Sequence, residues 1–93
     1  MIIINQDEDS IYNFDNIKSI DVVDNRVYIT DDILADKKIR LGEYKTEERA
    51  NEVLVEIMQS YIDSTNYIYM NKFLDTDEFN RLQRGLVYEM PKK

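Results

Sequence analysis

The chain predicts an α+β fold: a small antiparallel sheet of about four to six strands, one long amphipathic helix packed on it, and a second short helix. Three observations predict this class. Apolar and polar residues alternate in short runs up to Tyr44, a helical apolar period takes over after Thr46, and turns rich in Asp and Asn separate the early runs. At 93 residues the chain is too short for two independent cores, so residues 1–93 are read as a single domain.

Ile2 to Ile4 read as a first strand, Asp7-Glu8-Asp9 as a solvated turn and Ser10 to Phe14 as a second strand. After a turn at Asp15-Asn16, Ile17 to Val23 resumes with Ile20 and Val22 on one face and Ser19 and Asp21 on the other. Asp24-Asn25 is a two-residue hairpin turn into Arg26 to Thr30, where Val27 and Ile29 oppose Arg26, Tyr28 and Thr30. A loop over Asp31 to Lys37 leads into a strand from Lys38 to Tyr44, with Ile39 and Leu41 inward and Gly42 marking a bulge.

Thr46 stands where an N-cap belongs, and Glu47 and Glu48 follow in the first turn, where carboxylates interact favourably with unpaired amides. Ala50, Val53, Leu54, Ile57, Met58, Tyr61 and Ile62 recur at helical spacing and form one stripe directed at the sheet. On that reading Leu54→Asp buries a charge and costs several kcal/mol. Ser64-Thr65-Asn66 ends the helix, and Tyr67 to Phe73 continues as a strand or an extended crossing. The second helix fits 77–84, stopped by Gly85, and Leu86 to Met90 forms a last strand that Pro91 ends.

Nineteen acidic residues against twelve basic ones give a net charge of −7. That charge repels phosphate backbones and disfavours direct nucleic-acid binding, yet it suits a basic protein groove, including one that normally holds nucleic acid, which makes a DNA mimic one reading and plain solubility the other. There is no histidine and no cysteine. The usual general base, the Ser-His and Cys-His pairs, thiolate metal sites and disulfides are therefore excluded, and the cytosol is the expected compartment. The apolar run of Met1 to Ile4 stops at Asn5, too short for a signal peptide core or a membrane span. Gly42 and Gly85 stand alone, so no phosphate-cradling loop exists, and no cofactor is expected.

Two patterns nevertheless touch on metal chemistry. Asp75-Thr76-Asp77-Glu78 opens like a calcium loop, but Asn80 occupies the place of the sharp-turn glycine and Leu86 that of the bidentate glutamate, so helix capping is the better reading. An acid at Asp31, Asp32 or Asp36 followed by Glu43-Tyr44-Lys45 resembles a metal-dependent nuclease core of the PD-(D/E)xK type, a short string that charged sequences often contain.

Seven tyrosines and three phenylalanines fit contact surfaces as well as cores. Tyr61 and Phe79 are assigned to the core, and Tyr12, Tyr28 and Tyr44 to the second face of the sheet. The expected function is non-catalytic protein binding. Asp7, Glu8, Asp9, Asp31 and Asp32 are the expected electrostatic contacts, and Tyr67, Tyr69 and Phe73 the anchors. Solvated loops and core packing are the competing explanation, and a housekeeping homodimer is the competing function.

The segments NFDNI, LGEYKTEERANEVLVEI and YEMP resemble a group of short uncharacterised proteins of low-GC Gram-positive bacteria and their prophages. The resemblance covers roughly residues 2–62 and 86–91, and it transfers no catalytic residue. It implies a mobile-element context, in which small acidic proteins block host nucleases in the manner of anti-CRISPR inhibitors.

Overall fold

A computed structural model describes residues 1–31, 37–70 and 87–93, with Asp31 and 66–70 as backbone only. The order is β1 (Ile2–Ile4), β2 (Ile11–Asn13), a 3-10 turn (Phe14–Asn16), β3 (Ile17–Val23), β4 (Arg26–Asp31), β5 (Lys38–Glu43), α1 (Glu47–Met70) and β6 (Val87–Glu89). The fold is α+β, as expected. The expected second helix at 77–84 lies outside the described residues.

The strands divide into two three-stranded sheets, β2-β1-β6 and β3-β4-β5. The second is an antiparallel meander, with Ile20 opposite Ile29 and Val22 opposite Val27. In the first, β1 pairs antiparallel with β2 and parallel with β6, Ile3 facing both Tyr12 and Tyr88. Both edges of β1 are thus taken, so its ladder cannot extend into the meander. The sheets meet instead through Gln6, whose amide N–H donates to the Leu41 carbonyl at 2.9 Å. The Gln6 side chain continues the seam, Oε1 accepting from Glu43 N at 2.8 Å and Nε2 donating to Glu43 O at 2.9 Å. It completes by side chain the pairing that a strand would make by backbone.

The hairpin between β3 and β4 turns on Asp24, whose φ of 56° supplies the left-handed residue that such tight turns need, without glycine. Between β4 and β5 the register moves from Val27 opposite Gly42 to Tyr28 opposite Arg40, so Leu41 is the extra residue of a bulge. Leu41 is buried in the core.

The core consists of Ile3, Val27, Ile29, Leu41, Tyr44, Ala50, Val53, Ile57 and Met90. It lies between α1 and the inner faces of both sheets. Thr46 caps α1, its Oγ1 accepting from Arg49 N at 3.1 Å. The helix does not end at Ser64-Thr65-Asn66 but runs to Met70. Ser64 is buried along the helix seam, and the Thr65 hydroxyl donates to the Tyr61 carbonyl at 3.0 Å, so the Thr65 side chain is satisfied inside the helix. Tyr67 and Tyr69 are therefore helical and not part of a strand or crossing.

Candidate interaction surface

Asn5 is buried and builds the acidic turn at residues 7–9. Its Oδ1 accepts from Asp9 N and Ser10 N, both at 3.1 Å, and its Nδ2 donates to the Asp9 carboxylate at 2.7 Å. The Asn5 amide and then the Ser10 hydroxyl hold the Asp9 carboxyl below its ordinary pKa. Glu8 takes a left-handed φ of 60°, and its carboxylate lies 3.3 Å from Lys92 Nζ. Asp7 is exposed.

Asp31 ends β4 opposite Ile17, whereas Gln6 and the turn it leads into sit against Glu43, which pairs with Arg26 at the start of β4. Five residues of strand, about 17 Å, separate Asp31 from Arg26, so the Asp7-Glu8-Asp9 turn and Asp31 do not form one patch. Asp32 and Phe73 lie outside the described residues. Tyr67 and Tyr69 occupy positions two apart near the end of α1.

The same register separates the nuclease-like residues. Glu43 is bound by Arg26 at 2.9 Å and Arg40 at 3.6 Å, at the opposite end of the β4–β5 ladder from Asp31. Asp36 also lies outside the described residues. Among the described residues no three acidic side chains gather as a metal site.

The surface that does assemble is on α1. Its inner seam is Ala50, Val53, Ile57 and Ser64. Only part of the expected apolar stripe enters that seam: Leu54 is half-buried, while Met58, Tyr61 and Ile62 are exposed. Tyr61 is not a core residue; its ring rests against Phe14 at 4.9 Å, tilted by 42°. Val55, outside the expected stripe, is 62% exposed and adjoins Met58, which in turn adjoins Ile62. An apolar residue set among glutamates was the sequence signal for this face. The helical period puts Glu48, Glu52, Glu56 and Gln59 along the next sector round the axis.

The back of that acidic sector is anchored to the body. Arg49 reaches Glu52 at 3.1 Å and Glu56 at 3.4 Å, and its guanidinium stands 5.9 Å from the centre of the Tyr44 ring. Tyr88 donates to Glu56 at 2.8 Å, which fixes β6 to α1. Burial, then this hydrogen bond, raises the Tyr88 phenol well above its ordinary pKa. Tyr44 is buried and not on an outer sheet face, because the chain leaves β5 at Glu43 and turns the ring back over Gly42. Burial pushes its phenol up to about 12, against the pull of Arg49.

These features define a small α+β fold in which α1 carries Val55, Met58, Tyr61 and Ile62 exposed beside an acidic sector, while the other exposed large apolar side chains among the described residues, Ile2, Ile11, Val23 and Val87, lie on strands. No family model, curated protein or solved structure matches the chain. No described helix is long and apolar enough to cross a membrane.

Proposed function

We propose that the chain is a non-catalytic interaction protein whose acidic surface occupies a basic groove on a protein partner. One observation carries the reading: α1 holds Glu47, Glu48, Glu52, Glu56 and Asp63 against Arg49 alone, a net −4 that is more than half of the chain's −7. Charge concentrated on a rigid rod speeds encounter with a groove of opposite sign and orients the docking. A chain without imidazole or thiol lacks the commonest acid, base and nucleophile, which supports binding over turnover.

In its finer form the groove is the nucleic-acid channel of a host nuclease and the gene belongs to a mobile element, as the resemblance to prophage proteins implies. The test is competition: the protein is titrated into complexes of nucleases with fluorescent DNA. Displacement that weakens steeply with salt is expected, and reversing charge with Glu48→Lys and Glu52→Lys weakens it by about tenfold or more, about 1.4 kcal/mol. Turnover of the DNA by the protein itself, or salt-independent displacement, refutes the reading.

A further inference from the structure

We infer that the exposed apolar stripe of α1 docks in an apolar groove of the partner whose rim carries lysine and arginine on one side, the side facing Glu48 and Glu52. The inference rests on the interaction reading above and adds which surface makes contact and what that partner surface contains. Val55, Met58, Tyr61 and Ile62 stand between 42 and 62% exposed over two turns of one helix. Three- and four-residue spacings make them a continuous strip, the pattern by which helices lie in grooves.

Charge selects the occupant. On α1 itself Glu48, Glu52 and Glu56 follow one border of the strip, and the other border meets the chain's own body where Tyr61 packs on Phe14. A second copy placed on the strip brings together two helices of net −4 each, which like charge opposes. A groove with apolar walls and one basic rim satisfies both the strip and its border. Glu52, with 66% of its side chain exposed, is open to such a rim even while paired with Arg49.

The probe is a synthetic helical peptide with leucines on one face and lysines along one border, titrated against the full chain by fluorescence anisotropy. A second peptide of equal charge has its leucines replaced by glutamines. The leucine peptide is expected to bind at least about tenfold more tightly, a margin of about 1.4 kcal/mol. Val55→Asp combined with Met58→Asp removes that margin, as does the milder Met58→Gln, with the circular dichroism spectrum unchanged. Glu52→Gln weakens both peptides and lowers their salt dependence.

Equal binding of the two peptides to the unmodified chain overturns the docking inference and leaves the acidic reading standing. Binding of neither peptide removes both. A dimer in sedimentation velocity that Met58→Gln dissociates assigns the strip to a second copy and likewise overturns the inference.

Discussion

The Tyr44 hydroxyl is buried without a hydrogen-bond partner, and a methyl group added at Gly42 lies 3.0 Å from it. A buried hydroxyl left unpaired costs about 1–3 kcal/mol, so Tyr44→Phe is expected to stabilise the fold by about 1 kcal/mol in urea denaturation. Gly42→Ala is expected to destabilise it by about 1–2 kcal/mol through overpacking, and by less when combined with Tyr44→Phe, which a double-mutant cycle measures. Alkaline titration reports on the same ring and on Tyr88. Both phenols ionise later in the folded chain than their ordinary value of 10.0, Tyr44 at about 12, so the unfolded chain loses its protons first. Stability is whole below pH 10 and falls as pH climbs through 10 towards 12. In Tyr44→Phe with Tyr88→Phe, thermal melts across that range show a shallower decline.

Helix α1 separates residues that sequence spacing groups together. Ile57 is fully buried and Met58 is 54% exposed, although both belong to the expected stripe. Ile57→Ala is expected to cost about 2–5 kcal/mol in equilibrium unfolding, against less than about 0.5 kcal/mol for Met58→Ala. Half-buried Leu54 falls between them, so Leu54→Asp is milder than a core position implies. The start of α1 was legible because Thr46, Glu47 and Glu48 act locally, through a cap and a dipole. Its end was not, because Ser64 and Thr65 have the composition of a stop, whereas Ser64 is buried in the helix seam and the Thr65 hydroxyl bonds back to the Tyr61 carbonyl. The β3–β4 hairpin was legible from its alternation and its Asp24-Asn25 turn. The parallel pairing of β1 with β6 was not, since no local pattern announces a partner at the far end of the chain. For the candidate surface, spacing identified the apolar stripe, but which of its residues are buried against the sheets and which are exposed is set by tertiary packing that spacing does not encode.

At the scale of the whole molecule, Gln6 is the joint between the sheets. Its Nε2 also lies within hydrogen-bond reach of the Pro91 and Lys92 carbonyls, at 3.1 and 3.0 Å, and Lys92 Nζ returns to the Gln6 carbonyl at 2.6 Å. Gln6→Ala removes the side-chain bonds to β5 and to the tail together, and is expected to cost about 1–3 kcal/mol, with faster hydrogen exchange at Met90 N. A stability loss confined to within about 0.5 kcal/mol contradicts this role. The parallel seat of Val87–Glu89 beside Ile2–Ile4 has a temporal consequence. During synthesis the meander and most of α1 emerge from the ribosome while one flank of the earliest strand still waits for its neighbour. Closing that ladder joins Ile2 to Val87, the kind of long-range pairing that slows folding most, so β1 is completed only after β6 has been made.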